Sequence, residues 1–418
     1  MPPAIGIIAD DFTGAVMVAG MLEGRGICCP VLFRPEAAAG GSRARALVAA
    51  ARSRTVPAVD AMAEIGAWHD ALSAAGCMRI AYKACASFDS TPQGNIGPAA
   101  DLLAARAGKR PVLMSAGFPR FGATVHQGYL FYRHRLVSDS IKRFDPLTPM
   151  EDPDLVRFLG RQTPHPVALI GHLILRQGID AVEDALRNLV VEGAGHVLLD
   201  TSDDEDVAVV AGLAVRLDLP VVASDPLIVE LVARLADATD VTPPPAHPRG
   251  RSVVLAGSTG LVVMDQLAAF AQHHPVLTLD LLDPRGAEGL VGHALEWAAG
   301  QCGSLAISTA TGATGLARSQ SALGPMGAAR MAEDILARVA KGLHDAGHRR
   351  FVVAGGETSG AVVAALGLRH ARALPEGPLG LGCCLSESDD PVWMFLKPGK
   401  LGADDILLRA VATEGETS

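Results

Sequence analysis

The stretch IGIIADDFTGA at residues 5–15 decides the fold class. Its apolar run, Ile5–Ala9, has the length and composition of a strand buried on both faces. The run ends at Asp10–Asp11, and Gly14 leads into an apolar helical stretch, Ala15–Gly24. A buried strand turning through polar residues into a helix is the opening of a βαβ unit. In sheets built from such units, ligands gather at the carboxyl ends of the strands.

The same alternation continues along the chain. Ile5–Ala9, Arg79–Ala84, Pro111–Ser115, Val167–Gly171 and His196–Asp200 read as strands, separated by helical stretches at Asp60–Ala75, Pro98–Ala107 and Ile179–Glu192. Val229–Ala236 reads as a helix, and the run ATDVTPPPAHPRGRS at 238–252 then breaks the pattern. Its consecutive prolines lack the donors and dihedrals that a helix or central strand requires. Strands resume at Ser252–Ala256, Val276–Asp280, Ser304–Ser308, Arg350–Ala354 and Val392–Lys397. A long helix at 327–346 and a closing one from Ala403 accompany them. The expected architecture is α/β in two domains, 1–245 and 246–418, each a mostly parallel sheet flanked by helices.

Composition narrows the function. A net charge of −9 and no Lys/Arg cluster argue against a nucleic-acid surface. Aromatics at 4% are too few for a base- or sugar-stacking platform. The seven cysteines form no CxxC pair, which leaves zinc ribbons and thioredoxin chemistry unsupported. No apolar run reaches the roughly 20 residues of a membrane span. The opening MPPAIGIIADD lacks the features of a secretory leader, so a cytoplasmic protein is expected.

Three clusters carry chemistry. Asp10–Asp11 at a strand end could take a proton from a hydroxyl, hold hydrated magnesium, grip sugar hydroxyls, or simply cap the next helix. In AYKACASFDSTPQGNIGP at 81–98, Lys83 follows a strand, and Ser87, Asp89, Ser90 and Thr91 fill the loop. A lysine, hydroxyls and a helix N-terminus suit a carboxylate or phosphate, and an ordinary capped loop is the alternative. In RRFVVAGGETSGAVVAALG at 349–367, a strand runs through Gly355 and Gly356 into a helix, letting backbone N–H groups approach a phosphate. It is neither a Walker A loop nor GxGxxG, and a tight strand–helix turn is the rival reading. LAGSTG at 255–260 and LKPGKLGADD at 396–405 add glycine-rich loops after two further strands of the same half. Elsewhere, His126, His165 and His172 lack metal-ligand spacing to another histidine, and Asp200, Asp203 and Asp204 end a strand and start a helix, where capping explains them at least as well as catalysis.

In this order, ADDFTGA at 9–15, YKACASFDSTPQGNIGP at 82–98, DPLTPMEDPDLVRFL at 145–159 and AGGETSGAVVAALG at 354–367 resemble the four-carbon acid sugar kinases. The resemblance spans nearly the whole chain. It implies an N-terminal domain for a sugar acid (threonate, erythronate or 3-oxo-tetronate) and a C-terminal domain for ATP, with magnesium assisting transfer to a terminal hydroxyl. Domain closure would then bring the two substrates together and exclude water. On the matching motifs, Asp10, Asp11, Lys83, Ser87, Asp89 and Ser90 would line the acid pocket. Asp11 would orient or deprotonate the hydroxyl. Ser258, Gly355, Gly356, Glu357, Thr358 and Gly399 would contact ATP. The metal ligands are not identifiable in the sequence, and a homo-oligomer is compatible with it.

The chain departs from the family pattern at Met17, where an aspartate is usual, and at Gly122–Ala123–Thr124, where Gly-Arg-Thr is usual. Arg120 would supply that guanidinium from another angle. VASDP at 222–226 replaces a glycine-serine turn, and GSTG at 257–260 replaces GSCS. The competing reading is a nucleotide-binding protein or sensor of the same fold with a changed substrate. A dinucleotide oxidoreductase is unsupported without GxGxxG and a downstream acidic residue.

Overall fold

A computed structural model of the protein describes residues 3–40, 44–145, 147–236, 247–257, 260–399 and 401–412. Two compact units, Met1–Val241 and Thr242–Ser418, divide the chain. The boundary expected at 245 lies outside the described residues.

Unit 1 contains β1 (Ile5–Ala9), β2 (Pro30–Leu32), β3 (Ala46–Ala50), β4 (Ile80–Lys83), β5 (Val112–Ser115), β6 (Ala123–His126), β7 (Tyr129–Tyr132), β8 (Arg135–Leu136), β9 (Val167–Ile170), β10 (His196–Leu199) and β11 (Val221–Ala223). Its helices are α1 (Phe12–Gly24), α2 (Ala58–Ala74), α3 (Ile96–Ala107), α4 (Leu155–Gly160), α5 (His172–Leu175), α6 (Ile179–Val191), α7 (Asp204–Leu217) and α8 (Asp225–Leu235). The central sheet runs β2-β3-β1-β4-β11-β5-β10-β9, and every pairing in it is parallel. Strands β1, β3, β5, β10 and β11 are buried along their whole length, which explains their largely apolar sequences. A small antiparallel sheet, β6-β7-β8, is separate and bridges to Thr201 beyond β10. The apolar pattern of the sequence gives no sign of it.

Unit 2 contains β12 (Val253–Ala256), β13 (Val276–Thr278), β14 (Leu305–Ser308), β15 (Arg350–Ala354), β16 (His370–Ala373), β17 (Cys383–Ser386) and β18 (Trp393–Lys397). Its helices are α9 (Leu261–Ala271), α10 (Gly286–Ala299), α11 (Gly312–Leu323), α12 (Pro325–Asp345), α13 (Gly356–Ala365) and α14 (Ile406–Ala412). Strands β13-β14-β12-β15-β18 are parallel, and β17 and β16 continue antiparallel. Both units are therefore mostly parallel sheets flanked by helices, as expected.

The winding of the two units is the same. In each, the first strand lies between the third and the fourth, as 2-3-1-4 in unit 1 and 13-14-12-15 in unit 2. The chain reverses direction across the sheet at that first strand. Such a switch point opens a crevice at the carboxyl end of the strand, where ligands bind. Asp10–Asp11 stand there in unit 1, and Gly257 stands there in unit 2.

Candidate functional site

In unit 1 the carboxyl ends of β3, β1, β4 and β11 lie side by side and bring five charged side chains together. Asp10 follows β1, Lys83 ends β4, and Asp225 opens α8 directly after β11. Arg54 comes from the loop after β3. Ser53 N–H donates to the Asp10 carbonyl, and Ala51 N–H to the Ala9 carbonyl, so this loop is tied to the end of β1. Arg54 Nε lies 2.7 Å from Asp10 Oδ2, and Nη2 lies 2.9 Å from Asp10 Oδ1 and 2.8 Å from Asp11 Oδ2. Asp11 is also the N-cap of α1, accepting the Gly14 N–H at 2.6 Å. Cys85 N–H donates to Asp10 Oδ2 at 3.2 Å. Lys83 Nζ lies 3.4 Å from Asp225 Oδ1 and 4.0 Å from Asp10 Oδ1.

The group is almost closed to solvent. Arg54 retains 19% side-chain exposure, whereas Lys83 retains 3% and Asp225 4%. Arg54 is thus the wetter lid on a dry cluster. Burial pushes the Asp11 carboxyl up, but Arg54 and Lys83 outweigh it and hold Asp11 below the usual carboxylate range. Burial pushes Lys83 down, and Asp225, Asp10 and Asp11 together raise it above its ordinary value. Asp225 moves the opposite way from Asp11. Burial, joined by repulsion from Asp10 and Asp11, raises it despite Lys83.

Gly14 leaves room for two of these side chains. A Cβ there would sit 2.2 Å from Lys83 Nζ and 2.8 Å from Asp11 Oδ1. A lysine beside a helix N-terminus is unfavourable by itself, and the three carboxylates offset that cost.

The other sequence candidates divide. Ser87 and Asp89 meet: Ser87 Oγ donates to Asp89 Oδ1 at 2.7 Å, and Lys142 Nζ to Asp89 Oδ2 at 2.8 Å. Between them Phe88 is fully buried at φ 47°, a strained conformation for a bulky residue. Ser90 is buried and takes a hydrogen bond from Gln162 Nε2 at 3.2 Å. Beside it, Pro92, Gly94, Pro98 and Gln162 line a cavity of about 400 Å³. Arg120 is exposed, its guanidinium 5.5 Å from the centre of the Phe121 ring. Met17 and Ala123 are both buried apolar side chains, Ala123 in a hydrophobic core cluster of the unit. Sequence reasoning missed Arg54, Lys142 and Asp225.

Gly97 has a packing role. A Cβ there would lie 2.7 Å from Gln162 Cβ and 2.8 Å from the Gln162 backbone. Gly97→Ala is expected to cost about 2 kcal/mol through overpacking. Denaturant unfolding checks this, and an unchanged midpoint would refute the close approach as the reason for a glycine.

The carboxylate pair does not fit a magnesium ion, because the Arg54 guanidinium occupies the oxygens of Asp10 and Asp11 that would bind it. His172, Asp203 and Asp206 do come together elsewhere in unit 1. They are consumed by capping: Asp203 accepts the Asp206 N–H, and Asp206 accepts from Ser202 N–H and pairs with His172 Nδ1.

In unit 2 the glycine loops follow adjacent strands. Gly355, at φ 130° and ψ 134°, turns β15 into α13, and its N–H donates to the Lys397 carbonyl at the end of β18. Gly356, Glu357 and Thr358 form the first turn of α13, with Thr358 buried and Glu357 partly exposed. A Cβ on Gly257 would lie 2.2 Å from Thr358 Oγ1, so the β12 and β15 loops are in close contact. Lys397 Nζ donates to the Pro398 and Leu401 carbonyls, holding the turn that carries Gly399, and burial lowers it to about 8. Gln266 Nε2 ties the same loop through the carbonyls of 401, 402 and 403. Ser258 lies outside the described residues.

Residues 5–229 match the sugar-binding N-terminal domain family, and residues 253–407 match the nucleotide-binding C-terminal domain family. A 3-oxo-tetronate kinase of Burkholderia multivorans is 35% identical over 98% of this chain and 97% of its own. The chain belongs to the four-carbon acid sugar kinase family. A second such kinase, from Methylobacterium radiotolerans, is 36% identical over 98% of this chain and 99% of its own. Among solved structures, a Salmonella typhimurium LT2 protein superposes with a TM-score of 0.78 at 30% identity, over 97% of this family member and 98% of that chain.

Proposed function

We propose that this protein is an ATP-dependent kinase that phosphorylates a hydroxyl of a four-carbon sugar acid. The acid binds in unit 1 and ATP in unit 2. The observation that carries the reading is the buried cluster of Arg54, Asp10, Asp11 and Lys83 at the switch point of unit 1. It offers cations for a carboxylate and fixed acceptors for hydroxyls in one dry site. Relatives with the same domain pair, named 3-oxo-tetronate kinases, support the substrate class. The Gly355–Thr358 turn, with a helix N-terminus behind two glycines, suits the ATP phosphates. Gly399 belongs to the adjacent loop of the same cleft.

Phosphoryl transfer of this kind depends on positioning and charge more than on a strong base. Asp11, held below the ordinary carboxylate range, is a weak proton acceptor. Its role is to orient the hydroxyl, with Arg54 and Lys83 fixing the acid. Magnesium would arrive on the ATP phosphates, its usual carriers. A cytoplasmic location, where ATP is supplied, fits this activity.

Purified protein with ATP and magnesium, offered 3-oxo-tetronate, erythronate, threonate and longer aldonates, tests the reading. ADP release should be stimulated by at least one four-carbon acid. ATP binding without stimulation by any acid would overturn it in favour of a nucleotide-binding sensor.

A further inference from the structure

The five-membered cluster holds three carboxylates against two cations, and one of the carboxylates is placed differently from the others. Both oxygens of Asp10 and both of Asp11 are engaged by Arg54 or by backbone N–H groups. Asp225 Oδ1 is buried, has no hydrogen-bond partner, and lies 3.4 Å from Lys83 Nζ. Its side chain is 4% exposed. Lys83 therefore already has a carboxylate beside it before any acid arrives. Adding a second anion to this dry site would leave four carboxylates facing two cations, an arrangement that low solvent access makes costly.

We infer that Asp225 is an internal competitor of the substrate's carboxylate for the charge of Lys83, and so sets the affinity of the acceptor site for acids. This inference rests on the assignment of unit 1 as the acid site. Asp225 acts through Lys83 and is a specificity-determining residue, not a catalytic one. An incoming acid is accommodated when Asp225 takes up a proton, which releases Lys83 and leaves three carboxylates against two cations. The charged groups facing Asp225 are Lys83 from the end of β4 and Asp10 and Asp11 from the β1–α1 turn. Of the packed helices, α8 carries Glu230 and Arg234, paired with each other, and Glu230 also pairs with Arg25. On α7, Asp206 pairs with His172, and Arg216 pairs with Asp180 and Glu183. Burial and the two aspartates raise the Asp225 carboxyl, the direction that proton uptake requires.

At low pH Asp225 is neutral and Lys83 is available, so the acid binds tightly. As pH rises, Asp225 ionises, and the acid must displace it or bind with a proton. Sugar acids stay ionised throughout this range, so the linkage belongs to the protein.

The test is calorimetric binding of erythronate, threonate and 3-oxo-tetronate to the full chain without nucleotide, between about pH 6 and pH 9. Pairs of buffers with different ionisation enthalpies count the protons. The wild-type Kd should rise toward tenfold per pH unit above the Asp225 midpoint, with uptake approaching one proton per acid. Asp225→Asn should bind the acid more tightly at high pH, with a flat profile and no proton uptake. Asp225→Gly, which also removes the amide, should behave like Asp225→Asn. Equal slopes and equal proton counts in wild type and Asp225→Asn would overturn the inference while leaving the acid site intact. So would loss of acid affinity in both variants, which would make Asp225 a support that holds Lys83 in place. Binding of no acid by any of the three proteins would remove the acid-site assignment, and the inference with it.

Discussion

Arg54→Met is expected to lower kcat/KM for the sugar acid by about 10³-fold or more, with ATP affinity unchanged. The change also removes about 3 kcal/mol of stability, the scale set by stripping one partner from a buried ion pair. Both effects have one origin. Arg54 faces two adjacent carboxylates at 2.7–2.9 Å, and without it Asp10 and Asp11 are left close together and almost dry. They respond by protonating or by drawing in water, and either response destroys the fixed acceptors that orient a hydroxyl. Two compact units need not unfold together, so stability should be read as two transitions. The one that moves should be the one that added ADP does not shift. Adding Asp10→Asn to Arg54→Met should restore part of the stability and none of the turnover, because it removes repulsion without replacing a cation. Wild-type turnover in Arg54→Met would end the claim that this cluster is the acceptor site.

The physical reason that Arg54 is hidden in the sequence lies in its strand. It follows β3, whose residues ALVAA are rich in alanine and so carry little strand preference. Only the parallel pairing of β3 with β1, from Ile5 opposite Ala46 to Ala9 opposite Ala50, places the next loop beside Asp10. That is a tertiary fact. Asp225 is hidden for a related reason. β11 is three residues long, Val221–Ala223, and it enters the sheet between β4 and β5 although it comes much later in the chain.

The legible part of the sequence is local. The stretches Ile5–Ala9 and Arg350–Ala354 show their observed limits directly, because strands buried on both faces are mostly apolar, with the arginine of the second at its first position. The pair Asp10–Asp11 is legible because it ends such a run, at the edge where parallel sheets collect their ligands. Its partners are not. Lys142, which holds Asp89, comes from a 3₁₀ turn at Ile141–Phe144 with no periodic signal of its own. The Met17 and Ala123 departures look like lost polar handles in the sequence, yet both side chains are packed as apolar core.

Gly355→Ala is expected to weaken ADP and ATP binding by about 10²-fold while acid binding in unit 1 is retained. Gly355 has φ 130° and ψ 134°, a region that costs an alanine about 1–3 kcal/mol. Its N–H also donates to the Lys397 carbonyl at 3.0 Å, so relaxing its dihedrals separates the end of β15 from the end of β18. The first turn of α13 would then present its N–H groups in the wrong direction. A loss of about 2.7 kcal/mol in binding corresponds to the hundredfold change. Backbone strain by itself would lower stability without touching the nucleotide, and Gly367→Ala supplies the control for it. Gly367 is also at positive φ, 70°, but a Cβ there would meet nothing within 4 Å, and the residue follows the end of α13 instead of preceding its start. Gly367→Ala should lose stability and keep nucleotide affinity. Equal nucleotide affinity in wild type and Gly355→Ala would show that the phosphates do not bind at the N-terminus of α13. Equal weakening by both substitutions would show that general destabilisation of unit 2, not the shape of the turn, governs binding.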